Sequence, residues 1–404
     1  MQTLNVDIRE VREIRLKTLV YFGCGAINRI TDITTALKER GVKAVLVVTG
    51  GRSYKLTGAW DKVSAALDAA GIKFALFDKV TPNPTTVQID AAAEAGRAIG
   101  AQAVIAIGGG SPIDAGKSAA IVLANPGRTA REIYEYKFVP TQALPLVAIN
   151  LTHGTGTEVD RFAVATIPEM EYKPAIAYDC IYPEWAIDDP ELMTGLSEKQ
   201  TRFVSIDAIN HSVEAATTTC TNPLAITLAA QCIRIVARHL PAALENPKDL
   251  NARYHLLYAS MLAGVAFDNG MLHYTHALEH PLSAVKPDLT HGLGLSILLP
   301  AVVKRIYPVR AEILADILAP LAPGLRGNPA EAEAAAIGVE NWLKSVGAPE
   351  KLADVGFTEA DIDRLVELVM TTPSLESLLS LAPDHADRDA VREIYLNSLH
   401  PFRR

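Results

Sequence analysis

Short apolar runs alternate with amphipathic segments through the first half of the chain. The runs have the length and β-branched content of strands buried on both faces, and they cover residues 17–22, 43–49, 73–77, 102–107 and 144–150. The segments between them have helical periodicity, at residues 27–40, 58–70, 86–99 and 112–123. This order predicts a parallel sheet with helices on both faces.

The pattern changes after about Asp189, where β-branched runs become rare. Long helices are predicted there, most clearly over residues 199–219, 223–240, 252–269 and 330–346. Because 404 residues are too many for one hydrophobic core to be the default, we expect two domains. They are a dinucleotide-binding α/β domain with a Rossmann-like parallel sheet, residues 1–190, and an all-α domain, residues 191–404.

Composition and charge narrow the classes of function. The net charge of -8 and the lack of a basic stripe argue against nucleic acid or an anionic membrane as partner. The N-terminus mixes acids with bases, and we expect neither a targeting peptide nor an apolar stretch of the ~20 residues that span a membrane. The cysteines, which form no CxxC pair, are expected to be reduced core thiols of a cytoplasmic protein: Cys24, Cys180, Cys220 and Cys232.

A glycine loop follows the apolar run at 102–107. Gly108, Gly109 and Gly110 precede Ser111, a predicted N-cap, and Pro112, which suits a first helical turn. Backbone amides at such a turn can bind a pyrophosphate, although glycines can also serve only to turn the chain. A Walker A loop fits poorly, because the spacing to the next glycine is one residue too long and the following lysine falls inside the helix.

The end of the second predicted strand bears on the choice of cofactor. NAD-binding enzymes usually place an acid there for the ribose 2′-hydroxyl, but this chain has Gly50, Arg52 and Ser53. Arg52 and Ser53 can bind a 2′-phosphate, which favours NADP(H). The competing interpretation is that Arg52 is a solvated loop arginine.

Histidines and one aspartate recur at helical spacing in the second half. Asp207 and His211 are four residues apart, as are His276 and His280, and His291 follows. Such pairs share a helix face, and this oxygen and nitrogen donor set suits Fe²⁺, Zn²⁺, Co²⁺ or Ni²⁺. A lone Asp–His pair is often a solvated contact, but burying this many imidazoles in apolar surroundings without a metal is costly.

The other histidines divide into two groups. His273, one turn before His276, is a further candidate ligand, and His153 lies in a glycine-rich loop that can reach a cofactor. The remaining four are expected to be structural or exposed: His239, His255, His385 and His400.

Five motifs taken together resemble the iron-containing (group III) alcohol dehydrogenase family. They are GGGSPIDAGK, NLTHGTGTEVDRFAV, DDPEL at 188–192, SIDAINHSVEA and THALEHPLSA followed by THGLG, and they span about residues 17–306 in the family's order. The resemblance implies a dehydroquinate synthase-like architecture with the active site in the cleft between two domains. It also implies that Asp207, His211, His276 and His291 hold Fe²⁺, with Zn²⁺ as the alternative, and that His280 is an additional active-site histidine.

The resemblance also assigns cofactor residues. Gly109, Gly110 and Ser111 match the pyrophosphate loop, and Asp114 matches an acid near the nicotinamide ribose. Four more match positions that line the cofactor or its ribose: Thr152, Thr155, Thr157 and Lys173. Two departures are DAGK in place of D-x-A-K and the missing acid beside Gly50.

The implied function is hydride transfer between a nicotinamide cofactor and a small primary alcohol or aldehyde, by a cytoplasmic homodimer. A glycerol dehydrogenase or a hydroxyacid–oxoacid transhydrogenase is an alternative within the superfamily. A metal-dependent hydrolase or lyase is an alternative of another class, but it leaves the glycine loop unexplained.

Overall fold

A computed structural model describes residues 11–402 of the chain. It contains two compact units. The α/β unit comprises residues 16–196 and 247–257, and the helical unit comprises the described residues 11–15, 197–246 and 258–402. The sequence-based limits of 1–190 and 191–404 stay a prediction of domain extents.

The α/β unit is built on a six-stranded parallel sheet in the order β1-β8-β5-β4-β2-β3. Its strands are β1 Leu19–Phe22, β2 Ala44–Gly50, β3 Lys73–Val80, β4 Ala103–Gly108, β5 Leu146–Asn150 and β8 Trp185–Asp188. A separate antiparallel pair consists of β6 Phe162–Val164 and β7 Ala175–Ala177. The predicted parallel sheet is therefore confirmed.

Central strands account for the apolar runs in the sequence. Every residue of β4 is buried, and so is every residue of β2 except Gly50, because helices cover both faces of the sheet. Those helices are α1 Ile30–Glu39, α2 Ser53–Leu56, α3 Ala59–Ala70, α4 Thr86–Ala98, α5 Gly110–Ala124 and α6 Ala130–Tyr134. The sequence did not predict β8, a four-residue strand that lies between β1 and β5.

The second half of the chain is helical, as predicted. Its helices are α7 Glu198–Thr217, α8 Pro223–Glu245, α9 Leu250–Gly270, α10 Tyr274–Val285, α11 His291–Ile317, α12 Ala332–Ser345, α13 Glu359–Thr371, α14 Leu375–Ser380 and α15 Arg388–Asn397. Helix α7 begins at the cap Ser197, whose side chain accepts a bond from the Gln200 amide. Fifteen of the residues of α7 are buried, all of them between Thr201 and Thr217, and they include the polar side chains of Asp207, His211 and Glu214.

Among residues 11–402, α11 is long and apolar enough to cross a membrane by length and composition alone, and 78% of its most apolar window is buried inside the protein, as in core helices. One expectation, about the thiols, needs correction. The four thiols are free, but only Cys232 is buried, whereas Cys24 is exposed. Helical and loop positions therefore expose or half-bury three thiols that were expected in the core.

Candidate active site

Helix α7 supplies the first two candidate metal ligands. Asp207 and His211 are buried one turn apart, and Asp207 Oδ1 lies 3.6 Å from His211 Nε2. The His211 ring stacks on Phe267, with ring centroids 4.5 Å apart, and this fixes its plane. The predicted spacing thus places both side chains on one buried face.

Two further imidazoles come from the starts of α10 and α11. His276 Nε2 lies 3.5 Å from Asp207 Oδ1, and its ring stacks on that of His211 at 4.5 Å. His291 is the first residue of α11. Asp207, His276 and His291 each offer one ligand atom, and these atoms all lie within 4.8 Å of one another. His211 borders this group through its contact with Asp207.

These residues fit a single divalent cation. Donor atoms about 2.1 Å from a shared ion lie roughly 3.0–3.5 Å from one another in octahedral or tetrahedral geometry, close to the 3.5 and 3.6 Å separations from Asp207 Oδ1. Asp207 Oδ1 and His276 Nε2 are buried and make no hydrogen bond within the protein. Buried polar atoms normally have partners, and a cation satisfies both of these.

Electrostatics keeps the carboxylate charged. Burial raises the pKa of Asp207, but the nearby imidazoles of His211 and His276 outweigh it and hold that pKa at about 2. Burial lowers the pKa of His211 to about 4, so its ring is neutral at pH 7 and can donate a lone pair. Burial also opposes protonation of His276, yet the carboxylates of Glu214 and Asp207 raise its pKa to about 9, so a metal at its Nε2 atom would have to displace a proton.

Two buried carboxylates beside the ligands were missed from the sequence. Glu214 Oε2 contacts His276 Nδ1, and Glu279 Oε2 contacts His291 Nδ1. Both glutamate side chains are fully buried. The available signal was helical spacing, since Glu214 lies seven residues after Asp207 and three after His211 on the same helix. Their partners depend on how α7, α10 and α11 pack, which spacing alone does not give.

The two other nearby histidines differ in their surroundings. His280, one turn after His276 on α10, is buried, and its ring centroid lies 6.0 Å from that of His291. His273 caps the start of α10, where its Nδ1 accepts a bond from the Tyr274 amide and its Nε2 lies 2.9 Å from Thr217 Oγ1. Because both nitrogens of His273 are engaged, we place it outside the ligand set.

The glycine loop, residues 108–110, and the loop of residues 152–157 that carries three threonines, here called the threonine loop, meet in the α/β unit. A Cβ added to Gly109 would lie 2.7 Å from Thr152 Cγ2, and one added to Gly110 would lie 2.7 Å from Thr155 Cγ2. Both separations are too short for any side chain other than hydrogen. Ser111 was predicted as the N-cap, but the cap is Gly109 and α5 begins at Gly110, so Ser111 lies within the first turn. The helix therefore begins two residues earlier than expected, because the glycine backbone already adopts the helical turn at Gly110.

A buried network ties α5 to the threonine loop. The Lys117 ammonium donates to Thr157 Oγ1 at 2.9 Å and to Asp160 Oδ1 at 2.7 Å. Asp114 Oδ1 accepts from Thr157 Oγ1 at 2.7 Å, and Asp114 Oδ2 accepts from the Val164 amide at 3.0 Å. In this structure Asp114 and Thr157 therefore brace the loop, and their contact with a cofactor stays a prediction.

Three more groups lie around the same loop. Burial raises the pKa of Asp114, and the charges of Lys117 and of buried Lys173 offset part of that rise. His153 is fully buried, and its Nε2 lies 2.9 Å from Arg253 Nη1. Burial and the Arg253 charge lower the pKa of His153 to about 3, so the ring is a neutral acceptor for Arg253 and supports the loop from inside.

The candidate 2′-site lies at the end of β2. Gly50 ends the strand, and Arg52 and Ser53 are exposed beside the short helix α2. The sequence did not predict an acid in this region, but Asp78 on β3 lies there, and its Oδ2 accepts a hydrogen bond from the Tyr54 hydroxyl at 3.1 Å.

Comparison with protein families covers most of the chain. The model of the iron-containing alcohol dehydrogenase family matches residues 17–190. The model of the C-terminal part of the Fe-containing alcohol dehydrogenase family matches residues 203–399. The two matches contain all four candidate ligands and both candidate cofactor loops.

Individual proteins give the same result. A long-chain primary alcohol dehydrogenase of Thermoanaerobacter ethanolicus is 58% identical over 98% of this chain and 100% of its own length. A 1,3-propanediol dehydrogenase of Klebsiella pneumoniae is 34% identical over 87% of this chain and 90% of its own. The crystal structure of an NADH-dependent butanol dehydrogenase from Thermotoga maritima is 29% identical, covers 97% of this chain and 99% of its own, and has a TM-score of 0.86.

Proposed function

Because the chain belongs to the iron-containing alcohol dehydrogenase family, it is an oxidoreductase of alcohols and aldehydes with a nicotinamide cofactor, and we propose that it interconverts primary alcohols, long-chain ones included, with their aldehydes. The 58% identical relative, named a long-chain primary alcohol dehydrogenase, supports this substrate class. The structural observation that supports a metal-dependent reaction is the convergence of Asp207, His276 and His291.

We propose that Asp207, His211, His276 and His291 hold one Fe²⁺ ion, the metal that the family implies, and that Zn²⁺ can take the same place. A metal held there would supply Lewis acidity towards the alcohol oxygen, and a bound nicotinamide would supply the hydride acceptor. Asp207 contributes the one negative charge of the set. Burial of Asp207, His211 and His276 keeps bulk water from competing for their donor atoms.

His280 is proposed to move the substrate proton. It lies on α10 one turn beyond His276, it is 4% exposed, and its ring centroid is 6.0 Å from that of the candidate ligand His291, so it lies beside the candidate metal centre with little solvent around it. Imidazoles exchange protons near neutral pH, which suits a group that accepts the alcohol proton in one direction and returns it in the other.

The cofactor is proposed to lie on the α/β unit. Gly109, Gly110 and Ser111 offer amides at the start of α5 to a pyrophosphate, and partly exposed Thr152 and Thr155 line the same loop. Exposed Arg52 favours NADP(H), since it can pair with a 2′-phosphate. The T. maritima neighbour is named as NADH-dependent, so both cofactors belong in the test.

We also propose a homodimer in the cytoplasm. The four free thiols are consistent with a reducing compartment. Size-exclusion chromatography with light scattering tests the assembly: twice the 43.4 kDa chain mass is expected, and a monomer mass would contradict it.

The activity is tested on anaerobically purified, Fe²⁺-loaded protein with a series of primary alcohols from ethanol to long-chain ones, using NAD⁺ and NADP⁺. Formation of free reduced cofactor, measured at its absorbance band, is expected. Its absence with every alcohol would contradict the proposal, and oxidation without cofactor release would favour a transhydrogenase.

Two variants connect this activity to the site. His276→Ala should remove iron and turnover together. His385→Ala, whose side chain is 87% exposed in the same unit, is the matched control and should keep both. Full iron and full turnover in His276→Ala would show that the ligand assignment is wrong.

A further inference from the structure

Each of two candidate ligand imidazoles has a buried carboxylate at its Nδ1 atom. Glu214 contacts Nδ1 of His276, and Glu279 contacts Nδ1 of His291. We propose that Glu214 and Glu279 are positioning residues that set the metal affinity of the site by orienting these two rings. This inference rests on the ligand set of the proposed function and extends it to residues that touch neither metal nor substrate.

The single carboxylate of Glu214 contacts both the candidate ligand His276 and the backbone at the start of α10, the helix that carries His276. Its Oε1 accepts bonds from the backbone amides of His273 at 3.0 Å and Thr275 at 2.8 Å. The first amides of a helix lack hydrogen-bond partners within the helix. Glu214, which lies on α7, therefore accepts the hydrogen bonds of amides at the start of α10. Its Oε2 is left for His276 Nδ1. The same side chain therefore fixes both the placement of the first turn of α10, which carries His276, and the orientation of the His276 ring.

The face of α7 explains how this is achieved. Asp207, His211 and Glu214 lie at positions i, i+4 and i+7 of one helix, so all three point towards α10. A candidate ligand of α7 and the carboxylate that orients the ligand of α10 thus share one rigid element.

Glu279 performs the same task between α10 and α11. It lies three residues after His276, and its Oε2 contacts His291 at the start of α11. A Cβ added to Gly294 would lie 2.8 Å from Glu279 Cγ and 3.1 Å from Oε1. The bare backbone of Gly294 therefore provides the space that Glu279 occupies.

A carboxylate on Nδ1 has two effects on an imidazole. It keeps the proton on Nδ1, so that the lone pair of Nε2 is available for a metal, and it makes that lone pair more basic. His276 Nε2 points to Asp207 Oδ1 at 3.5 Å, as this arrangement requires. Loss of such a partner typically weakens metal binding by about 10- to 100-fold.

The test measures the Kd for Fe²⁺ itself on the metal-stripped full chain, anaerobically, in competition with a chromophoric chelator. Glu214→Gln and Glu279→Gln keep the side-chain volume but present an amide, and each should raise the Kd about 10- to 100-fold. Gly294→Ala should raise it by displacing Glu279. Glu198→Gln, on α7 but 61% exposed, is the matched control and should bind as wild type.

Unfolding and ligand loss are separated within the same series. Since Glu214 also caps α10, the Glu214→Gln variant can unfold. In that case the Kd of the Glu279→Gln variant alone tests the inference. A wild-type Kd in Glu279→Gln would overturn the inference. A wild-type Kd in His276→Ala would instead overturn the ligand set, and with it the proposed function.

Discussion

Single side chains at the candidate metal centre differ in charge and in task. Asp207 is ionised, because the surrounding imidazoles hold its pKa at about 2 in spite of burial. His211 is neutral, since burial lowers its pKa to about 4. His280 lies near His291, with ring centroids 6.0 Å apart. A residue that holds metal and one that moves a proton should therefore respond differently to substitution.

His280→Ala should keep iron and lose turnover. Because general acid–base catalysis contributes about 10²- to 10⁴-fold, we expect kcat to fall at least 100-fold while iron content stays at the wild-type value. The pH profile of kcat should also lose the limb that the imidazole provides. Identical profiles in variant and wild type would remove the proton-transfer role.

Arg52→Ala tests the choice of cofactor. Removing an exposed guanidinium that pairs with a 2′-phosphate should lower kcat/KM for NADPH by roughly 10-fold or more, as expected for a lost charge-assisted hydrogen bond, and leave that for NADH unchanged. A wild-type preference for NADH, or equal loss with both cofactors, would contradict the 2′-phosphate role.

The candidate ligands could be predicted from the sequence, but the carboxylates that contact them could not. Asp207, His211, His276 and His291 stand out because a carboxylate and several imidazoles recur in apolar helices. Glu279 is one more acid between two histidines until α11 brings His291 to it. Pairing of this kind is set by helix packing, so it is invisible to spacing along one chain.

Helices and strands likewise could be predicted where the local sequence determines them, but not where they depend on residues distant in sequence. Strands β2 and β4 were predicted almost to the residue, because a buried central strand is marked by its own apolar run. Strand β8 was not, since its place between β1 and β5 depends on pairing with residues far away in sequence. The start of α5 was also placed too late, because Gly109 and Gly110 form the turn in place of a serine cap.

The glycine loop can be tested at Gly109. Gly109→Ala puts a Cβ 2.7 Å from Thr152 Cγ2, so the Thr152 side chain or one of the two loops must shift. We expect at least a 10-fold weaker Kd for the reduced cofactor, measured by its fluorescence, with iron content unchanged. Gly195→Ala, where nothing lies within 4 Å of the added Cβ, is the control and should bind as wild type. Equal affinities in the two variants would contradict a cofactor role for the loop.

Two buried acids at the carboxyl edge of the sheet, Asp188 and Glu158, should make the stability of the protein depend on pH. Burial raises the pKa of Asp188 at the end of β8 to about 7 and raises that of Glu158 well above its usual value. Asp188 Oδ1 accepts a bond from Asn150 at 3.1 Å. An unfolded aspartate titrates near pH 4, so the folded chain keeps a proton that the unfolded chain releases. This stabilisation is complete below about pH 4 and is lost as the pH rises through about 7.

Asp188→Asn should therefore flatten the loss of stability between pH 5 and 7. The difference in unfolding free energy, measured by denaturant at both pH values, should shrink by up to about 1.4 kcal/mol per pH unit. Asparagine still accepts the bond from Asn150. Asp68→Asn, at an exposed position, should leave the difference unchanged, and the same result in Asp188→Asn would refute the assignment.

At the scale of the whole molecule, the candidate residues divide between the two units. The α/β unit contains the glycine and threonine loops, which we propose bind the nicotinamide cofactor, and the helical unit contains the candidate metal ligands. Residues 247–257 belong to the α/β unit although they follow α7 and α8 in sequence. Arg253 in this segment contacts His153 of the threonine loop, which links a late part of the chain to the cofactor region.

The most direct measurement is anomalous diffraction at the iron edge from crystals of the Fe²⁺-loaded chain grown without oxygen. One strong peak per chain is expected, within bonding distance of Asp207 Oδ1 and of the Nε2 atoms of His211, His276 and His291. A peak at other side chains, or no peak in a crystal whose protein retains iron in solution, would contradict the shared metal site.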